Sequence, residues 1–126
     1  MIVFLDTSVL VTVAFGQPDA DQMQRALGQA DMLVASSLLE AEFAAACRRE
    51  SIPLIERALD GVRWIHPERS LLPEIRQVLE GGFVRGADCW HLATALYFAP
   101  DPGELLFLTQ DRVQRQVAER LGFEQR

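Results

Sequence analysis

The segment MIVFLDTSVL, residues 1–10, decides the fold, because a short apolar run in it ends at an acid. Residues 2–5 are continuously apolar, which is typical of a buried parallel strand. Asp6, Thr7 and Ser8 then open a predicted helix that is apolar to about Phe15. A buried strand that leads directly into a helix predicts a parallel sheet covered by helices.

The rest of the chain repeats this alternation. Further strands are predicted at residues 32–35, 62–66 and 105–108, and an edge strand is expected to begin at Phe123. Helices are predicted at residues 19–30, 52–61, 71–79, 87–99 and 111–121, and another, capped by Ser36 and Ser37, runs to about Arg49. The predicted class is α/β, with three α/β/α layers around a mainly parallel sheet of four to five strands.

Length and composition predict one domain over residues 1–126, with enough apolar residues, 49%, to bury a core. No apolar run approaches the ~20 residues of a membrane span, and the N-terminus does not resemble a signal peptide. A cytoplasmic protein without membrane association is therefore expected. Cys47 and Cys89 lack the paired spacing of zinc ligands and are expected to be buried free thiols.

The charged residues exclude several classes of α/β protein. The net charge of −6 argues against nucleic-acid binding by overall attraction, although it leaves room for a local basic groove. All 12 basic residues are arginine. A P-loop hydrolase needs a lysine and a Gly-rich loop, and receiver domains and haloacid-dehalogenase-like phosphatases also use a lysine beside their acids. A non-nucleolytic phosphatase or nucleotide-binding domain is thus disfavoured.

Four acids lie where the predicted fold would draw negative charges together. Asp6 and Asp111 follow predicted strands, while Glu42 and Asp88 lie on the apolar faces of predicted helices. The carboxyl ends of parallel strands meet at one edge of the sheet, where ligands gather. A cation must offset the repulsion, and oxygen ligands favour Mg²⁺, with Mn²⁺ as the other option.

Each of these acids also has a purely structural explanation. Asp6 and Asp111 are suitable N-caps, worth roughly 0.5–2 kcal/mol each. Asp88 is in a first turn, where the helix dipole favours an anion. Glu42 would be solvated if its helix were tilted. Only the four together favour a metal site.

Four short segments carry the acids: MIVFLDTSVL (1–10), ASSLLEAEF (35–43), GADCWHLATA (86–95) and LTQDR (108–112). In order and spacing they resemble the PIN-domain family of ribonucleases, and within it the VapC-type toxins of toxin-antitoxin pairs. Residues 1–10 are similar to the family's first strand with its Asp-Thr/Ser-Ser start. The segment ASSLLEAEF, residues 35–43, resembles the helix bearing the family's glutamate, which assigns that role to Glu42 rather than Glu40. GADCWHLATA, residues 86–95, and LTQDR, residues 108–112, resemble the two remaining acidic motifs.

The resemblance implies a PIN-like fold and a Mg²⁺-dependent endoribonuclease that hydrolyses RNA phosphodiester bonds with a metal-activated water. It makes Asp6, Glu42, Asp88 and Asp111 the metal ligands or the groups that position the water. Thr7, Ser8 and Thr109 are expected to hydrogen-bond these carboxylates, although Thr7 and Ser8 also suit a helix start. The implied partners are RNA, a cognate antitoxin protein and a second copy of the chain in a homodimer.

Arginines near the acids are the expected contacts for RNA phosphates. Arg85 and Arg112 lie beside proposed ligands, and Arg48 and Arg49 end the Glu42 helix. Each also suits a solvated surface position. His91 is expected to pack or hydrogen-bond in the core. The alternative to a toxin is a PIN-like domain that binds a metal or a partner with little catalysis.

Overall fold

The computed structural model describes residues 1–126 and contains four strands and six α-helices. The strands are Ile2–Leu5 (β1), Met32–Ser36 (β2), Val62–Ile65 (β3) and Leu105–Leu108 (β4). The helices are Thr7–Ala14 (α1), Ala20–Gly28 (α2), Leu38–Arg49 (α3), Leu72–Gly81 (α4), Gly86–Phe98 (α5) and Arg112–Leu121 (α6). The predicted α/β class with a parallel sheet is confirmed.

The sheet has the strand order β3-β2-β1-β4, and every neighbouring pair is parallel. The chain builds outward from β1 to β2 and β3, and β4 then returns to the other side of β1. The strand order therefore reverses between β1 and β4, where Leu5 pairs with Leu108. In open parallel sheets, ligands bind outside the carboxyl ends of the strands at such a reversal.

Two apolar clusters cover the two faces of the sheet. Phe4 and Phe107 point to one face, where their rings stack with centroids 5.4 Å apart, and α4, α5 and α6 cover them. Val3 and Leu5 point to the other face, which α1, α2 and α3 cover. Alternate residues of β1 are thus buried on opposite sides. This burial explains why the strand is continuously apolar in sequence.

The helix predicted at residues 52–61 is wrong. The structure has only a short 3-10 turn there, Glu56–Leu59, and Gly61 at φ +79° then turns the chain into β3. Residues 52–55 before the turn form no regular secondary structure, so the link between α3 and β3 contains no further α-helix.

Two further local predictions need correction. Ser37 occupies the N-cap position of α3 but makes no side-chain capping bond, and Ser36 instead ends β2 with its hydroxyl directed to His91. The edge strand expected at Phe123 is a single bridge between Leu106 and Glu124, so the sheet has four strands. Gly122 caps the C-terminus of α6 at φ +98°.

The remaining apolar features are accounted for by packing. Cys47 and Cys89 are buried and free, as predicted. No residue from 9 to 15 is exposed, so burial explains why α1 is apolar nearly all round. No helix combines the length and the apolar character needed to cross a bilayer.

We predict that Gly82→Ala lowers the free energy of unfolding by about 1–3 kcal/mol. Gly82 has φ +154°, and a Cβ there would lie 2.9 Å from Arg120 Nη1 and 3.0 Å from Val117 Cγ2. Urea denaturation measures the change. Gly28→Ala is the control, because a Cβ there meets nothing within 4 Å. If the two variants are equally stable, Gly82 is not conformationally required.

Candidate active site

Asp6 is fixed at the end of β1 by donors on Ser8 and Thr109. It is 4% exposed and caps α1. Its Oδ2 accepts hydrogen bonds from the Ser8 amide at 3.2 Å, the Ser8 hydroxyl at 2.5 Å and the Thr109 hydroxyl at 3.0 Å. Its Oδ1 is 4.0 Å from His91 Nε2. Asp6 thus acts as the predicted N-cap, while Oδ1 is left with fewer donors than Oδ2.

Gln114 supports the same carboxylate from the first turns of α6. Its side-chain amide is fully buried. With the amide oriented so that its nitrogen faces acceptors, Nε2 donates to Thr109 Oγ1 at 2.9 Å and to Asp6 Oδ2 at 3.1 Å. Thr109 in turn accepts a hydrogen bond from the Asp111 amide at 3.0 Å. This network ties the ends of β1 and β4 to the start of α6.

Glu42 is held by two donors on one of its oxygens. Its Oε1 accepts from Thr7 Oγ1 at 2.8 Å and lies 2.5 Å from Nε2 of His91, which is fully buried. His91 Nδ1 is 2.8 Å from Ser36 Oγ. Since a carboxylate only accepts, Nε2 carries the proton that faces Glu42, while Nδ1 shares a hydrogen bond with the Ser36 hydroxyl. The hydrogen bond from His91 lowers the pKa of Glu42, against burial and with help from Thr7.

The surroundings of Asp88 disfavour its negative charge. It lies in the first turn of α5, where the helix dipole favours an anion. Burial nevertheless raises its pKa, and the charges of Asp6, Asp111 and Glu42 raise it further, against the opposing effect of His91. Desolvation and repulsion therefore both disfavour the charged form of Asp88. All four predicted acids contribute to one electrostatic environment.

Asp111 is exposed and caps α6, with its Oδ1 accepting from the Gln114 amide at 2.8 Å. It shares a pocket of about 380 Å³ with Asp88, Arg85, Phe83, Val84 and Val113. Arg112 is exposed beside it but does not line this pocket.

Only one of the four arginines predicted to contact RNA phosphates lines the pocket of the acids. Arg85 immediately precedes α5 and lines the pocket with two of the acids. Arg48 and Arg49 are exposed at the end of α3, about 9 Å further along the helix than Glu42, and Arg49 is 3.5 Å from Glu50. Of the four arginines, Arg85 has the position best suited to a phosphate that reaches the acids.

A family model for the PIN domain matches residues 3–120. The chain belongs to the PIN domain family. PIN domains are generally nucleases, which hydrolyse phosphodiester bonds, and they generally use divalent metal ions. A comparison with curated proteins gives no match.

The residues of this PIN domain fit a divalent ion that is held partly through water. No three His, Cys, Asp or Glu side chains converge closely enough to hold an ion directly. Mg²⁺ commonly binds to one or two carboxylates and keeps several waters. The available donors are carboxylate oxygens, whereas both nitrogens of His91 are already engaged. A cation bound beside Asp88 would favour its charged form and so lower its raised pKa.

Three polar residues near the acids were not predicted as site residues. Ser36 and His91 position Glu42, and Gln114 positions Asp6. Gln114 carried a sequence signal, because it lies three residues after the N-cap Asp111, at the capping-box position. In the structure its side chain turns to Asp6 instead of the N-cap amide.

Proposed function

We propose that this PIN domain is a divalent-metal-dependent endoribonuclease with Asp6, Glu42, Asp88 and Asp111 as its metal-binding and catalytic residues. The observation that supports this most is the electrostatic cost of Asp88, which three other acids increase at the strand reversal. A structural role alone gives no reason to keep four carboxylates where they repel each other. Mg²⁺ is the proposed ion, and Mn²⁺ would suit the same oxygens.

The side chains of the proposed site have different roles. Asp6 and Asp88 are the proposed principal ligands, and Ser8, Thr109 and Gln114 fix Asp6. When bound, the ion lowers the pKa of a water molecule and neutralises charge on the phosphate.

Glu42 and Arg85 complete the proposed site. Since Thr7 and His91 occupy Oε1 of Glu42, its Oε2 remains free to orient a water or to bind the ion. Arg85, which lines the same pocket as Asp88 and Asp111, would hold the phosphate.

We also propose a toxin role, with a cognate antitoxin and a homodimer as partners. The four motifs that resemble VapC-type toxins support this role. A groove of about 590 Å³ between α1, α2 and residues 55–58, lined mainly by apolar side chains, offers a surface for a protein partner. Growth arrest on induced expression is the expected effect in cells.

The test compares RNA cleavage by wild type with that by Asp6→Asn and Glu42→Gln, with and without Mg²⁺. Each substitution is expected to lower cleavage by at least about 100-fold, because it removes a group that binds the ion or positions the water. Glu40→Gln is the matched control: Glu40 is exposed and only two residues from Glu42. The assignment fails if the site variants cut RNA and arrest growth as wild type does. A wild type that binds metal but does not cleave would favour the binding-domain alternative.

A further inference from the structure

Phe83 is an exposed aromatic ring on a firmly held loop. Its side chain is 81% exposed, yet the next residue, Val84, is buried. The preceding glycines pack against α6, where Arg120 Nη1 donates to the Gly81 carbonyl at 3.0 Å and Gly82 leaves no room for a Cβ. The loop therefore holds the ring in a defined position in solvent. An exposed ring adds nothing to the buried core, so the stability of the fold does not explain its position.

The ring borders the acidic site. Phe83 lines the same pocket as Asp88, Asp111 and Arg85. Val113, which is 53% exposed on the first turn of α6, adds a second apolar side chain to this pocket. One pocket thus combines an arginine, two of the proposed ligands and apolar surface, which are the groups that recognise a phosphate and the base next to it.

We propose that Phe83 stacks on an unpaired RNA base adjacent to the phosphate that enters the acidic site, a proposal that rests on the ribonuclease function above. Aromatic side chains bind bases that are splayed out of a helix, whereas a base inside a duplex is already stacked on its neighbours. The proposed contact therefore needs a base that is not paired or stacked in a duplex. Arg85 fixes the phosphate while Phe83 fixes the base.

A second copy of the chain is the competing occupant of this surface. Phe83 also borders an apolar pocket of about 340 Å³ with Leu79 and Trp90, and Leu79 is 46% exposed. The ring also lines the pocket that contains Arg85 and two carboxylates. Charged residues are depleted in the cores of protein interfaces, so the position of Phe83 beside these groups favours RNA.

The test measures RNA binding without added metal, on an Asp88→Asn background that prevents cleavage and removes one repelling charge. The probes are a single-stranded oligouridylate and the same strand paired with its complement. Phe83→Ala is expected to weaken single-strand binding by roughly 5- to 150-fold, because one base loses its stacking partner. Phe83→Trp should retain binding, Leu79→Ala should leave it unchanged, and duplex binding should not respond to Phe83→Ala.

Several outcomes would overturn the proposal. Equal single-strand binding by the background and Phe83→Ala would do so, as would the absence of binding by the background. If Phe83→Ala and Leu79→Ala both convert a dimer to a monomer in light scattering, the surface belongs to a second copy. Failure of the ribonuclease function is distinguishable, because it appears as no metal-dependent cleavage by wild type, whatever Phe83 does to binding.

Discussion

Asp88→Asn is expected to stabilise the metal-free protein while it removes the response to Mg²⁺. The pKa of Asp88 is raised above its ordinary value of 3.8 by burial and by Asp6, Asp111 and Glu42. The folded state therefore holds this proton more tightly than the unfolded chain. The stability linked to that proton is fully present below pH 3.8 and is lost as the pH rises through the folded-state pKa. Near neutral pH, asparagine removes the cost, so the melting temperature should rise by about 2–5 °C.

The measurement is a series of thermal melts across pH, with and without Mg²⁺. Without metal, the advantage of Asp88→Asn should disappear at low pH, where the wild-type carboxyl is protonated. At about 100 times the dissociation constant, Mg²⁺ should add about 2.7 kcal/mol to the stability of wild type and much less to that of the variant. Asp21→Asn, an exposed acid on α2, is the control and should respond to Mg²⁺ as wild type does. A metal-free Asp88→Asn protein that is less stable than wild type would contradict the electrostatic account.

His91→Ala is expected to cost about 2–4 kcal/mol of the free energy of unfolding. The imidazole is fully buried and connects Ser36 to Glu42, so its loss leaves a cavity and two polar groups without their partner. Urea denaturation measures the loss. His66→Ala is the matched control: His66 is exposed, and its replacement should change stability by less than about 0.5 kcal/mol. Equal effects of the two substitutions would show that the buried contacts contribute little.

Much of the fold could be predicted because the apolar pattern and the acids reflect the same topology. The apolar residues of β1 and β4 are buried on both faces; Asp6 directly follows β1, and Asp111 lies three residues after the end of β4. Such local patterns mark where a strand ends and a helix begins. The helix predicted at 52–61 was wrong, since that segment forms only a short 3-10 turn before Gly61, at φ +79°, turns the chain into β3.

The supporting side chains could not be predicted, because their partners are distant in sequence. His91 meets Glu42 across 49 positions, and nothing local to either residue indicates that contact. The exposure of Phe83 is equally a tertiary property: it depends on α6 packing against the glycines before it. Sequence identified the acids, whereas their fixed orientation and the neighbouring aromatic ring required the folded arrangement.

If the four carboxylates form one cation site, as we propose, calorimetry should detect the binding of Mn²⁺ and its loss when an acid is replaced. Wild type and Asp21→Asn should bind the ion equally and release it to excess Mg²⁺, while Asp88→Asn and Asp6→Asn should bind it at least about 10-fold more weakly. Equal binding by all four proteins, or no binding by wild type, would contradict the claim.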